Sequence, residues 1–150
     1  MPAGSVRSSR SFASLARAAI EKHVPEARDP RAHWGTGPNG AWVRWPREGG
    51  GFSYLALRRH LDWVTGEAGI SREPVALGSL PLGAAGAPAT GFRVRLGELL
   101  GDEDRWWPVG AGNGDQGRRL EWIVLQIRVK AEAYFARHHE GTVRAGGPGG

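Results

Sequence analysis

The chain contains no cysteine. That removes disulfide frameworks, thiolate nucleophiles and cysteine-based zinc sites together, and it fits a reducing compartment; the expected location is cytoplasmic. No apolar run approaches the roughly 18 residues of a membrane span. Lysine is almost absent, with 18 of the 20 basic residues being arginine. Acidic residues are missing from the first twenty positions and the last ten. Those two ends hold four arginines, which leaves 16 basic against 15 acidic groups between them. The foldable part is therefore nearly neutral, which argues against a duplex-binding domain with a broad basic face. The arginine excess, with 24 glycines and abundant alanine and proline, reads as the imprint of a GC-rich bacterial genome rather than as a functional signal.

What is present suits one domain of ordinary size. A chain of this length buries about 70% of its unfolded surface and needs no metal or disulfide to fold; neither a metal nor another cofactor is expected. Residues 1–10 are small and polar, and disorder is expected there. Their arginine and serine content resembles a transit peptide, but a frayed terminus explains it as well. Ser11 stands where an N-cap belongs, and Phe12, Leu15, Ala16, Ala19, Ile20, His23 and Val24 follow at helical spacing. Pro25 ends that helix. Residues 25–40 read as a loop from their prolines and glycines.

The organising stretch is 51–71, GFSYLALRRHLDWVTGEAGIS, whose period-two pattern predicts a hairpin. Strands are expected at 41–45 (AWVRW), 52–59, 63–70 and 92–96 (FRVRL). In the third, Val64, Gly66, Ala68 and Ile70 form a small or aliphatic side suited to a closely packed helix. Residues 72–91 hold four glycines and three prolines, an uncommon length for a structureless loop, and read as disordered or as a flap. From 118 to 139, Leu120, Ile123, Val124, Ile127, Ala131, Tyr134, Phe135 and His138 hold one face of a long helix that Gly141 should end. The tail 141–150 is expected to be disordered. The sum is an α+β domain over 11–140: a four-stranded, mainly antiparallel sheet with an N-terminal and a long C-terminal helix packed on one face.

The order of elements, with WVTGEAGIS (63–71), FRVRLGELL (92–100) and DRWWPV (104–109), resembles a bacterial family of unknown function made of small α+β proteins. The resemblance covers roughly residues 11–139 as an order of elements and about thirty residues as motifs, mostly strand and core positions. It implies a fold and no activity. The insertion at 72–91 departs from the family pattern.

Motifs that name a chemistry are weak. Residues 112–117 (GNGDQG) match GxGxxG, but a dinucleotide site needs a βαβ unit with an acidic residue beyond it. So many glycines produce the pattern by chance about 0.6 times per chain. A loop in which Asp115 or Asn113 caps the following helix is the expectation. His138 and His139 are adjacent and point about 100° apart, so one helix face cannot offer both to a metal. Asp102, Glu103 and Asp104 read as a solvated turn, and no serine sits in a nucleophile elbow.

The sheet face opposite the helices is more informative. Alternation places Trp42 and Arg44, Tyr54 and Arg58, Trp63 and Glu67, and Arg93 and Arg95 on that side. Aromatic rings interleaved with arginine on an open sheet bind an acidic partner or stack bases. Arginine laid over tryptophan to shield it gives the same pattern with no ligand. Of Trp106 and Trp107, only one can be core. The expected function is non-catalytic binding of a protein partner through this face, of immunity or accessory type. Single-stranded nucleic-acid binding through Trp42, Trp63 and the arginines is the first alternative, and an enzyme with a site under 72–91 the second.

Overall fold

The computed structural model describes residues 11–83, 90–110 and 112–145, without the side chains of 113 and 138–145. The expectations for 1–10 and 146–150, for 84–89 of the long loop, and for the side chains of Asn113, His138 and His139 lie outside this description.

Helix α1 spans Phe12–His23. Ser11 caps it, its Oγ accepting the Ser14 amide at 3.1 Å, and the backbone turns extended at Val24 before Pro25. Five strands then form an antiparallel meander: β1 His33–Gly37, β2 Gly40–Pro46, β3 Phe52–His60, β4 Trp63–Ser71 and β5 Gly91–Arg95. A sixth, β6 (Trp107–Pro108), pairs with the start of β4. Between β5 and β6 lies one turn of helix, α2 (Leu96–Leu99). Helix α3 runs from Gly112 to Ala145.

The fold is α+β as expected, with both helices on one face, but the sheet has six strands rather than four. The two additions explain themselves. β1 lies in the segment read as a loop, because HWGTG has too many glycines to show an alternating pattern. What holds it is packing: the Arg17 guanidinium lies 4.4 Å from the Trp34 ring, and the Trp42 indole lies so close over Gly35 that any side chain there would collide with it. β6 is two residues long, below what periodicity detects. Residues 25–28 of the same loop form a 3-10 turn. At the other end, α3 begins six residues before Arg118 and continues past Gly141. The GNGDQG stretch is thus the first turns of a helix, with Asp115 paired to Arg118, and not a flexible loop.

The core lies between the sheet and the helices. Phe12, Leu15, Ile20, Leu120, Ile123, Ile127 and Phe135 pack on Val43, Leu55, Leu57, Val64, Ile70 and Val94. Gly66 lets α3 come close: a Cβ there would meet Ile127 Cδ1 and Ile123 Cγ2 far inside contact distance. Ion pairs tie the helix layer from outside. His23 Nε2 lies 2.7 Å from Glu121 Oε1, Arg128 pairs with Glu26 at 2.9 Å, and Arg47 pairs with Glu132 at 3.0 Å. Inside it, the buried Tyr134 hydroxyl donates to Glu98. Burial first, and the neighbouring carboxylate second, push that phenol well above its ordinary pKa. Among the described residues no helix is long and apolar enough to cross a membrane.

Candidate functional site

The strand registers bring all eight candidate residues to the face away from the helices. Trp42 stands beside Ala56, which stands beside Glu67 and then Arg95. Arg44, Tyr54, Gly69 and Arg93 form the next row. Arg58 faces Thr65, and Trp63 faces His60. The face is not bare, however. Residues 72–83 fold back over one half of it, and the front divides into a closed half and an open half.

In the closed half, Leu77 and Leu80 pack on Tyr54 and Ala56, with Val75 at the margin. Tyr54 is buried. Its hydroxyl donates to the Val75 carbonyl at 2.8 Å, accepts the Val75 amide at 3.1 Å and lies 2.9 Å from Ser71 Oγ. Arg44 and Arg93 also hold the strap, donating to the carbonyls of Val75 and Leu80 at 2.9 Å each. The Gly83 amide then donates to the Arg93 carbonyl at 2.7 Å, and the Arg93 amide to the Pro81 carbonyl at 2.8 Å. These residues were expected on an open surface. They are instead the floor and fastenings of a segment whose glycines and prolines concealed two core leucines.

Between the halves lies Glu67, which is fully buried. Arg93 Nη1 reaches its Oε1 at 2.8 Å, and Arg95 Nε reaches its Oε2 at 3.0 Å. Arg58 Nη1 makes a longer contact at 3.4 Å. Arg95 also pairs with Asp104 at 2.6 Å, and the GDED turn is exposed throughout, as expected. Burial alone would lower the pKa of Arg95, but its bonds to Glu67 and Asp104 more than offset that and raise it. A buried carboxylate is tolerable here because several guanidinium groups surround it.

The open half lies at the end where the β1–β2 and β3–β4 turns meet. Trp63 is 49% exposed and Leu61 73% exposed. Leu61 has φ +54°, a left-handed conformation that branched side chains rarely adopt; the Arg59 Nε donation to its carbonyl at 2.8 Å and the Val109 amide donation to the Asp62 carbonyl at 2.8 Å brace the turn. Trp106 lies on this side, under the Arg95 guanidinium at 5.3 Å and near His60, while Trp107 is core. Beside Arg58 a groove of about 330 Å3 opens between the β1–β2 turn and Leu77–Gly78, with Trp42 and Ala56 in its lining. Trp42 is held by Tyr54 and His33 at ring distances of 6.0 and 5.6 Å, and Arg44 lies 5.9 Å from it.

Alternation thus placed the eight residues on one face, as the strand registers do, and allowed only one of Trp106 and Trp107 in the core, but it did not show Leu61 or the groove. No residue-type pattern marks a leucine forced to positive φ, and the groove depends on how 72–83 folds. A second exposed apolar strip, Trp122, Leu125 and Val129, runs along the outside of α3; Trp122 is partly covered there by Trp107 and Arg119. Among the described residues no cluster of three or more histidine, cysteine or acidic side chains has a metal-binding arrangement.

Comparison with known proteins gives no match to a family model, to a curated protein or to a solved structure. The family resemblance of the strand and tryptophan motifs is neither supported nor opposed by it.

Proposed function

We propose that this chain is a non-catalytic binding domain that engages a protein partner through the open half of the sheet front. The observation that carries this reading is the hairpin tip. A leucine is held at positive φ with most of its side chain in water, two residues from a half-exposed tryptophan. Backbone strain of this kind costs about 1–2 kcal/mol and persists where the surroundings enforce it, often at sites of recognition. Tryptophan and arginine are the side chains that most often anchor protein interfaces, and Arg58 lies on the same face two register pairs away from Trp63.

The nucleic-acid alternative has less support. Three of the four front arginines are already committed: Arg44 to Val75, Arg93 to Glu67 and Leu80, and Arg95 to Glu67 and Asp104. Phosphate binding needs cations free to displace counterions. The enzyme alternative gains nothing from 72–83, whose leucines pack directly onto Tyr54 and Ala56. An immunity or accessory role remains an analogy from build alone.

The test is affinity capture from the native host at about 0.15 M salt, where exposed long-range charge is largely screened. One protein should be retained by the natural chain and lost with Leu61→Ser and Trp63→Ser combined. Equal capture by both chains, or steeply salt-dependent quenching of tryptophan fluorescence by an oligonucleotide, would count against the reading.

A further inference from the structure

We infer that the groove between the β1–β2 turn and the Leu77–Ser79 turn receives an extended acidic segment of that partner, with a carboxylate on Arg58 and an apolar side chain against Trp42 and Leu77. The inference rests on the protein-binding reading and specifies its chemistry. Its basis is a charge left over. The front carries four guanidinium groups, and the carboxylates near them are Glu67 and Asp104. Glu67 is taken up at short distance by Arg93 and Arg95, and Asp104 by Arg95. Among the described residues Arg58 has only the 3.4 Å contact to an oxygen it shares with Arg95, and its side chain is 45% exposed. A guanidinium offers five donors in a planar fork; among the described residues one of those on Arg58 is used, on Glu67, and the side chain lines the groove. A carboxylate is the group that matches this fork in charge and geometry.

The walls add shape. Trp42 is braced on several sides, so its indole is a fixed surface rather than a mobile side chain. Leu77 lies opposite it, and the backbone of 35–40 forms the remaining wall. A volume of about 330 Å3 is at the small end of ligand sites, which suits a short stretch of chain laid along the surface. An acidic partner also fits the net positive charge of this face.

Two glycines make the idea testable without disturbing the fold. Gly78 and Gly37 line the groove, neither has positive φ, and a Cβ on either meets nothing within 4 Å. The full chain is used to select from a displayed library of random linear peptides. The selected peptides should carry aspartate or glutamate next to an aromatic or aliphatic residue. Arg58→Gln should weaken the best of them about ten- to a hundredfold, the value of a charge-assisted bond. Gly78→Glu should weaken it about threefold or more by repulsion, and Gly37→Arg should tighten it. Peptides without an acid, or affinities unmoved by Arg58→Gln and Gly78→Glu, overturn the inference. So does an oligothymidylate that binds through Arg58 while no peptide is selected. If a host protein depends on Leu61 and Trp63 but no acidic peptide emerges, the interface reading stands and the groove assignment falls. Loss of both results removes the two together.

Discussion

Gly66 and Glu67 are neighbours on β4 and point to opposite faces of one sheet. Gly66 meets two isoleucines of α3 and has no room for a methyl group. Glu67 is as deeply buried, yet is a polar side chain held by Arg93 and Arg95 at short distance and by Arg58 at 3.4 Å. The back of the sheet is closed by apolar area, which is non-directional and tolerant of small shifts. The front is closed by directed bonds, which hold one arrangement and lose much when a member is removed. The front leaves part of itself uncovered at the Trp63 end, and that is where a function is proposed.

The difference can be broken from either side. Glu67→Ala should have the largest effect, because it takes the buried carboxylate from Arg93 and Arg95 and leaves a gap between them. Loss of about 3–5 kcal/mol is expected, read as a drop in the urea midpoint with unchanged slope; a loss below about 1 kcal/mol would mean that water already satisfies these arginines. On the back, Gly66→Ala should cost about 1–3 kcal/mol by overpacking, with the disturbance confined to Ile123 and Ile127. Tyr54→Phe comes next. It removes the hydroxyl that fastens 72–83 and should cost about 1 kcal/mol, with faster hydrogen exchange at the Val75 amide and little change in the amides of β3 and β4. Uniformly faster exchange would show that the strap and the sheet open as one unit.

Acid should have the smallest effect and act on the other side. The Arg31 side chain beside Asp29 brings its pKa from 3.8 down to about 2. His23 and Lys22 hold Glu121 below its ordinary 4.5. Burial would raise Glu26, but the bond from Arg128 more than offsets it and leaves that group lowered too. A carboxylate with a depressed folded pKa contributes stability that is full above its ordinary value and lost as pH falls through the folded one. Stability should therefore be flat from about pH 4.5 to about pH 10, above which the raised Tyr134 phenol counts against the fold, and decline toward about pH 2, with Asp29 the last to titrate. All three groups lie at the surface in partial contact with water, so the decline should be shallow and weaker still in high salt. Amides of α1 and α3 should report it first.

How much of this was legible in the residues follows the same division. The back was readable because period 2 and period 3.6 are physical: Leu55 and Leu57, Val64 and Ile70, Ile123 and Ile127 declare their faces by spacing. The hairpin of β3 and β4 and the cap at Ser11 were readable for the same reason. The front was only half readable. Alternation put Trp42, Arg58 and Trp63 on one side, but nothing local tells whether a tyrosine or glutamate on that side meets water or a returning segment. Leu77 and Leu80 sit among glycines and prolines, which mask them as core. β1 escaped because Gly35 and Gly37 interrupt its pattern, although Gly35 is what lets the Trp42 indole lie flat enough to wall the groove. The start of α3 escaped because three glycines in six positions disfavour a helix that the rest of α3 nevertheless extends through them.

The central claim is that the closed half of the front serves the fold and the open half serves a partner. One paired measurement addresses it directly: stability in urea and capture of the host protein, for Tyr54→Phe and for Arg58→Gln combined with Trp63→Ser. Tyr54→Phe should lose stability and keep the partner, while the double variant should stay within about 0.5 kcal/mol of the natural chain, as surface changes usually do, and lose it. A double variant that unfolds more easily yet captures as well as the natural chain would contradict the account.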